Sequence, residues 1–523
     1  MRQVVILAVA TLSLAGPLVT PGVASPHPVA QNAAPSIAPT PLAPAPAPIA
    51  RSTIAAVEVA VEAEFTDEQL VYYRAQSRLD EDFEAMRMFR PGYTFWQHVF
   101  AIPDGSVAFG SAEDGRLIAI FPSRGDWGRS VEWADPTVTL PLSGTVFERG
   151  LEGRRNQVES LLEPVVGRVV HNETRGEFLR PKAEEYGSFL REWGAIYERF
   201  GVPAEIGLAQ AVVESGLDGR RRSEARAIGF CQWLEGNWDR LKRLSPNVIE
   251  GYNQTTQAPY CAAYLTLLAT KYGSFIPALS EHHAGGTNVG RTVINGQWLG
   301  GANTREQYLM GSEFFLNLRE ISTRKYQEVV RTYGPRSFRY SEVVFGNTLT
   351  VRELLGGIDQ QEIYATRVVN AVSIDEIARR TGLSRREIQR FNPALVRQVP
   401  RGANLYLPVP MEDLGPDVSF WHRPPSPEFA AVLYEFMRLD RTPEAWDDRS
   451  FEPVLASFRQ RFADTHTEEG DVMAAVLSYF MDEAYSSRRS AILADFRSSD
   501  HIRELFETGV REVETIRGVS VRR

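Results

Sequence analysis

The chain has 523 residues, and at about 100 to 200 residues per domain this length predicts several domains rather than one core. Its hydrophobic content of 43% and charged content of 24% are those of a globular protein, which excludes a disordered or fibrous chain. The formal net charge of -9 argues against nucleic acid as a partner, because nucleic-acid binding depends on Lys and Arg that neutralise phosphates. An uncharged polymer is compatible with such an acidic chain.

Residues 1–24 have the pattern of a secretory signal peptide. One positive charge precedes an apolar run over 4–15, and small residues over 23–25 predict cleavage near Ala24. The run is shorter than the ~20 residues that a membrane-spanning helix needs, which makes a transmembrane anchor the weaker alternative. Pro17 stands where a lipoprotein would carry its cysteine. We therefore expect an exported protein, periplasmic or otherwise part of the cell envelope, without a transmembrane anchor.

The segments that follow differ in composition. Residues 25–52 are rich in Pro and Ala and carry almost no charge, which predicts an extended linker. Residues 53–165 are expected to form a small α+β domain, with a helix over 66–90 and then short alternating runs separated by Asp-Gly turns. These runs span 97–102, 106–110 and 117–121. No motif indicates the role of this domain, which leaves a protein partner open.

Helical periodicity dominates residues 180–345. Within this range a helix is predicted to begin at Pro203, which suits a first helical turn, and to end at Ser215, with Gly216 suited to cap it. Glu214 follows an Ala-Val-Val run at the end of this buried helix. Desolvation there would raise its pKa, as a general acid that works near neutral pH requires. From this segment alone, an ordinary helix-end carboxylate is the alternative.

Cys231 and Cys261 are the two cysteines of the chain, and both lie in this helical segment. In an oxidising compartment a lone pair of cysteines is most simply a disulfide. Two buried free thiols are the alternative.

Three motifs follow one another in this segment. Glu214-Ser215 is followed by Gly-Phe-Cys-Gln-Trp at 229–233, by an apolar helix over 258–271, and by His-His-Ala-Gly at 282–285. Over 201–318 this order resembles the soluble lytic transglycosylases, which have the goose-type-lysozyme fold and cleave bacterial peptidoglycan. In that family the three motifs line one cleft.

The resemblance implies roles for individual residues. Glu214 matches the catalytic acid/base, and Ser215 matches a residue that supports the neighbouring sugar. Gln232 matches a glutamine that hydrogen-bonds the substrate, and Gly229 matches the glycine that permits a close backbone approach. Tyr308 matches a tyrosine near the catalytic acid.

The third motif departs from the family, because His282 and His283 replace the usual Tyr-Asn pair. The imidazole of His283 can still donate a hydrogen bond to an N-acetyl carbonyl, so it is a candidate substrate-binding residue. A metal site is not expected, since adjacent histidines do not share one helix face as histidines four residues apart do. No cofactor is expected either.

The resemblance also implies a reaction with a single carboxylate. Glu214 would protonate the glycosidic oxygen between N-acetylmuramic acid and N-acetylglucosamine, and the N-acetyl group would stabilise the oxocarbenium ion. Glu214 would then take the proton of the C6 hydroxyl as a 1,6-anhydro ring closes. The neighbouring carboxylates fall on no position that the family uses for a second acid: Asp218, Glu224, Glu235 and Glu281. Glycan strands of peptidoglycan are the expected partner.

A second resemblance rests on Asn392-Pro393 and on the run Gly-X-X-Leu-X-Leu-Pro that begins at Gly402. With these features, residues 362–410 resemble a LysM module, a βααβ unit that binds N-acetylglucosamine polymers. The usual Gly-Asp before the first helix is absent, although Ser373 can cap that helix. A degenerate module kept for packing is the alternative to glycan binding.

After Pro424 the pattern is helical again, which predicts a helical domain over 420–523 that packs against the rest or binds a protein partner. The apolar residues at helical spacing are Phe429, Leu433, Phe436, Val472, Val476 and Phe480. The predicted fold class is therefore multidomain and mainly α. A lysozyme-like α-helical catalytic domain is preceded by a small α+β domain and followed by a βααβ module and a helical C-terminal domain.

Three other functions are open at this point. A hydrolase of the same fold would use water in place of the C6 hydroxyl. A non-catalytic wall-binding scaffold would have lost turnover, in keeping with the changed third motif and the incomplete LysM pattern. A cysteine peptidase would use Cys231 with His282 or His283.

Overall fold

The computed structural model describes residues 67–244, 254–321, 338–357, 362–393, 395–401, 403–410 and 483–521, all within one compact unit. The fold is mainly helical with a small antiparallel sheet, which confirms the predicted mainly-α class. The predicted signal peptide and linker, and the apolar residues from Phe429 to Phe480, lie outside the described residues. No described helix is both long and apolar enough to cross a membrane.

Most of the described helices share one hydrophobic core, and the strands are short. The helices are α1 (Asp67–Phe89), α2 (Trp96–Ala101), α3 (Leu151–Val166), α4 (Gly176–Arg199), α5 (Ala204–Ser215), α6 (Glu235–Leu244), α7 (Gln254–Tyr272), α8 (Phe275–Ala284), α9 (Gly286–Trp298), α10 (Thr304–Ile321), α11 (Tyr340–Gly357), α12 (Ile374–Thr381), α13 (Arg385–Phe391), α14 (Glu483–Ser498) and α15 (Asp500–Arg517). The strands are β1 (Ser106–Ser111), β2 (Leu117–Pro122), β3 (Glu132–Trp133), β4 (Val169–Glu173), β5 (Ala227–Ile228), β6 (Trp233–Leu234), β7 (Tyr364–Arg367), β8 (Val372–Ser373), β9 (Gln398–Val399) and β10 (Asn404–Leu407).

A four-stranded antiparallel sheet in the order β3-β2-β1-β4 forms a second hydrophobic cluster with α3. The hairpin of β1 and β2 turns through Asp114 and Gly115, as predicted, and Gly115 has a φ of +74°. Such a φ costs glycine little because it has no Cβ.

The structure divides this N-terminal region differently from the prediction. β4 pairs with β1 although it lies beyond the predicted boundary at residue 165, and α1 packs in the helical core. The run over 97–102, predicted to be extended, is largely helical as α2. Trp96, Val99 and Phe100 are buried together there, and that spacing is helical rather than alternating.

Helix α5 ends as predicted. Gly216 adopts a left-handed φ of +60°, and its N–H donates to the Val212 carbonyl at 2.8 Å. In the middle of α5, Gly207 leaves the space that the ring of Tyr197 fills, and Trp193 Nε1 donates to the Gly207 carbonyl at 3.0 Å. These contacts pack α5 closely against α4, and α11 covers its other side. The end of α5 is therefore buried between helices.

The described part of 362–410 contains β7, α12, α13 and β10 in the predicted βααβ order, with a second short antiparallel pair, β8 and β9, between the outer strands and the helices in sequence. β7 pairs antiparallel with β10, and α12 and α13 lie between them in sequence. Ser373 caps α12, as predicted, by accepting a backbone N–H at 3.1 Å. Asn392 links α13 to β10, because its amide donates to the carbonyls of Ile388 and Tyr406 and accepts the Tyr406 N–H.

The described C-terminal residues form α14 and α15, which pack against α9 and α10. The ring of Phe496 stacks on Trp298 with centroids 6.0 Å apart, and Phe506 contacts both Trp298 and Phe314. The predicted helical character is thus confirmed for these residues. They share the hydrophobic core that contains α5.

Asn392→Ala is expected to loosen the βααβ unit. Asn392 is fully buried, and loss of its hydrogen bonds to the Tyr406 backbone should cost about 1–3 kcal/mol. Hydrogen exchange in β10 should become faster. Asn370→Ala, at an exposed position of the same unit, is the control and should leave the exchange unchanged. Equal exchange in the two variants would contradict this role of Asn392.

Candidate active site

Glu214 lies in the helical core at the end of α5, with 4% of its side chain exposed. The Tyr340 hydroxyl, at the start of α11, donates to Glu214 Oε1 at 2.5 Å. On α8, His282 Nδ1 lies 3.5 Å and His283 Nδ1 lies 3.8 Å from the same oxygen. One carboxylate, two imidazoles and one phenol therefore share a nearly closed site, and these are groups suited to proton transfer.

Trp233 fixes the orientation of His282. The indole Nε1 of Trp233 donates to His282 Nε2 at 3.1 Å, and an indole N–H can only donate. His282 Nε2 is therefore an acceptor, so in neutral His282 the ring proton is assigned to Nδ1, the nitrogen that faces Glu214. Trp233 belongs to the second sequence motif and His282 to the third, so the two motifs are in contact here. The sequence did not predict this contact.

His283 is the outer ring of the cluster. It stacks on Tyr340 with ring centroids 4.2 Å apart and planes 7° from parallel. Its side chain is 13% exposed, against 4% for His282. A molecule that approaches the cluster would meet His283 first, which keeps this residue a candidate for substrate contact.

The pKa of Glu214 shifts in the direction opposite to the prediction. Burial raises this pKa, as expected, but the facing imidazoles of His282 and His283 outweigh burial and lower the pKa from 4.5 to about 2. The prediction is wrong because it considered desolvation alone, whereas the partners of the carboxylate come from α8. In this structure Glu214 is a carboxylate at neutral pH.

Two tyrosines adjoin the buried carboxylate. Burial, and then the charge of Glu214, raise the pKa of both Tyr197 and Tyr340. Both phenols therefore stay protonated, and Tyr340 remains a donor to the carboxylate. The buried Tyr197 hydroxyl has no hydrogen-bond partner among the described residues.

The side chains of Ser215 and Gln232 were expected to contact sugar. In the structure both donate hydrogen bonds to nearby backbone carbonyls. The Ser215 hydroxyl donates to the Ala211 carbonyl at 2.8 Å, inside α5. Gln232 Nε2 donates to the carbonyl of Gly229 at 2.8 Å and to that of Arg221 at 3.3 Å. These hydrogen bonds stabilise the helix end and the turn after it, and the roles of Ser215 and Gln232 in substrate binding stay predictions.

The second motif is also attached to α7. The side chain of Gln257 fills the space beside Gly229, whose φ is +70°, and accepts the Cys231 N–H at 3.2 Å. The close approach to Gly229 is thus made by Gln257. Cys231 and Cys261 form the predicted disulfide, with their Cα atoms 6.3 Å apart. The thiol that a cysteine peptidase would need is therefore not free.

The tyrosine that contacts Glu214 is Tyr340, whereas the sequence pointed to Tyr308. Tyr308 is 3% exposed on α10, its hydroxyl is hydrogen-bonded with Ser280, and burial raises its pKa to about 12. Tyr340 lies 126 residues after Glu214 and outside the range 201–318 that carries the resemblance. The sequence shows only that Tyr340 stands at the start of an apolar helix. This position does not indicate that Tyr340 contacts Glu214.

The four other carboxylates that the sequence offered as a second acid have different surroundings. Glu224 is exposed. The remaining three pair with cations elsewhere: Asp218 with Lys182 at 3.5 Å, Glu235 with Arg222 at 2.9 Å and Arg226 at 2.5 Å, and Glu281 with Lys271 at 3.0 Å and Arg489 at 2.8 Å. Among the described residues, no group of three or more His, Cys, Asp or Glu side chains could hold a metal ion.

Comparison of the chain with protein-family models and with curated proteins gives no match. Its function is therefore inferred from the sequence motifs and from the geometry around Glu214.

Glu214→Gln is expected to flatten the acid dependence of stability. A carboxyl whose pKa is lowered on folding contributes stability above its ordinary pKa of 4.5 and loses it as the pH falls toward about 2. Between these values the free energy of unfolding of the wild-type protein should fall more steeply than that of the variant. Urea unfolding of both proteins across this range measures the difference, and parallel profiles would contradict the lowered pKa.

Proposed function

We propose that this protein is a peptidoglycan lytic transglycosylase with Glu214 as its acid/base. The observation that carries the proposal is the buried carboxylate of Glu214, which lies at the helix end that the motifs indicate, beside two imidazoles and a phenol and without a Lys or Arg partner among the described residues. A glycosidase that adds water generally pairs its acid with a second carboxylate. Three candidates for that second role, Asp218, Glu235 and Glu281, are paired with cations.

In the proposed reaction Glu214 gives its proton to the glycosidic oxygen between N-acetylmuramic acid and N-acetylglucosamine, and the bond from this oxygen to the muramic C1 breaks. The N-acetyl group of the muramic acid stabilises the oxocarbenium ion. The Glu214 carboxylate then takes the proton of the C6 hydroxyl, whose oxygen closes the 1,6-anhydro ring. Glu214 is protonated again at the end of the reaction, as it was at the start. The intramolecular attack by the C6 hydroxyl gains effective molarity over attack by water.

The rings around Glu214 have two effects on this reaction. Tyr340, His282 and His283 stabilise the carboxylate form, which exists between the two proton transfers. The two imidazoles also outweigh burial and lower the pKa of Glu214 to about 2, so only a small fraction of the free protein carries the acid at neutral pH. The rate is therefore expected to rise as the pH falls.

The βααβ unit is proposed to bind the N-acetylglucosamine-containing strand. It lies against α4, where Phe391 packs on Phe189 with ring centroids 5.1 Å apart and Arg390 donates to the Glu185 carbonyl. Glycan binding beside the catalytic core would raise the local concentration of an insoluble substrate.

Two alternatives differ from the proposal in their products. A hydrolase of the same fold would leave reducing ends that are heavier by one water than anhydro ends. A wall-binding scaffold would bind sacculi without releasing soluble fragments. Digestion of purified sacculi, followed by mass spectrometry, distinguishes all three.

Glu214→Gln should abolish release of anhydro fragments while leaving the protein bound to sacculi. General acid/base catalysis contributes about 100- to 10,000-fold, so a loss of at least about 100-fold in turnover is expected. Glu224→Gln removes an exposed carboxylate of the following loop and is the matched control, with wild-type turnover expected. Anhydro products released at the normal rate by Glu214→Gln would refute the proposed acid/base.

His283→Asn should extend activity to higher pH. The change removes an imidazole that lowers the pKa of Glu214, so this pKa rises and more of the acid form is present at a given pH. The fall of kcat/KM with increasing pH should therefore occur at a higher pH in the variant. His171→Asn, on β4, is the control for loss of an imidazole. Identical pH profiles for wild type and His283→Asn would show that His283 does not influence the catalytic proton.

A further inference from the structure

Helix α8 carries both imidazoles that face Glu214, and buried charges from distant parts of the chain fix each of its ends. At its start, Asp82 of α1 accepts the Phe275 N–H and the Ser274 hydroxyl, both at 2.6 Å. Asp82 is fully buried and also pairs with Arg305 of α10. The first turn of α8 therefore cannot shift without breaking charge-assisted contacts.

At the other end of α8, Glu281 lies in a buried cluster of charges directly before His282. Its Oε1 accepts from Arg489 Nη1 of α14 at 2.8 Å. Its Oε2 accepts from Lys271 Nζ at 3.0 Å and from the Tyr272 hydroxyl. Burial alone would raise the pKa of Glu281, but Lys271 and Arg489 lower it. Glu281 is thus a buried carboxylate held by cations from two helices.

Glycines of α9 make room for α14. A Cβ at Gly286 would lie 2.6 Å from Glu281 Oε1 and closer still to the Arg489 guanidinium. One turn further along, a Cβ at Gly290 would lie 2.7 Å from Leu493. The ion pair of Arg489 and Glu281 joins residues 208 positions apart, and α14 reaches it because these two positions lack a side chain.

We infer that Arg489 is a positioning residue of the proposed active site: by holding Glu281, it sets where His282 and His283 stand relative to the Glu214 carboxylate. The catalytic consequence rests on the proposed function, whereas the effect on α8 does not. Glu281 and His282 are adjacent, so a displaced Glu281 moves the backbone that carries both imidazoles. His282 Nδ1 already lies 3.5 Å from Glu214 Oε1, and a charged contact weakens with distance.

The role of Arg489 is separable from folding. In its absence Glu281 keeps Lys271 and Tyr272 as partners, so the buried carboxylate is not left alone. α14 also keeps Leu493 and Phe496 in the core. A folded protein with a displaced turn is therefore the state expected of an Arg489 variant.

The test compares Arg489→Gln with Arg488→Gln in the full-length protein, since Arg488 is the exposed neighbour on α14. For Arg489→Gln, kcat for release of anhydro fragments should fall about 10- to 100-fold with KM unchanged, because a ~1 Å misplacement costs up to ~100-fold. Hydrogen exchange in residues 281–286 should become faster. Arg488→Gln should show wild-type values of both. Arg489→Lys, which keeps the cation but not the planar guanidinium, should recover part of kcat.

The exchange measurement does not depend on catalysis. If the wild-type protein releases no anhydro fragments, the proposed function fails, and exchange alone decides the role of Arg489. If Arg489→Gln does not fold, the same measurements are made on Arg489→Lys, for which smaller changes of the same sign are expected. A folded variant with wild-type kcat and wild-type exchange overturns the inference. Faster exchange throughout the chain would assign Arg489 to general stability and would overturn it as well.

Discussion

The burial of one carboxylate inside a helical core is the constraint on which the rest of the structure depends. A charge removed from water costs on the order of several kcal/mol unless donors face it. Glu214 meets this requirement with the Tyr340 hydroxyl and two imidazoles. Because these groups project from α8 and α11, both helices must be held in a fixed position relative to α5. A slip of one residue in either helix would leave the charge without its partners.

This constraint explains why residues far outside the motif-bearing segment reach the core. Asp82 of α1 and Arg489 of α14 fix the two ends of α8, and Tyr340 opens α11. The predicted helical domain over 180–345 contains Tyr340 but neither Asp82 nor Arg489. The N-terminal and C-terminal helices therefore belong to the same electrostatic arrangement as Glu214 and are not appended modules.

Features encoded in a few adjacent residues, or in a residue type that occurs only twice, could be predicted from the sequence, whereas the contacts that surround Glu214 could not. The end of α5 follows from local periodicity and from Gly216, and the pairing of Cys231 with Cys261 follows from the chain having two cysteines. Tyr340 lies 126 residues from Glu214, and no periodic pattern connects them. The predicted pKa shift of Glu214 had the wrong sign for the same reason, because burial is visible in an apolar run but a facing imidazole is not.

The proteins that the motifs resemble have an amide side chain where this chain has an imidazole. This replacement changes where a proton can reside. An imidazole has two ring nitrogens whose roles depend on their partners, and in His282 the contact of Nε2 with Trp233 assigns the ring proton to Nδ1, which faces Glu214. A sugar that excludes water from the cluster disfavours the Glu214 carboxylate relative to the neutral acid, because desolvation disfavours a charge. In the proposed reaction, glycan binding would itself raise the fraction of Glu214 that carries the proton, because loss of water raises the pKa of this carboxyl. The catalytic acid would then form only where its substrate is bound.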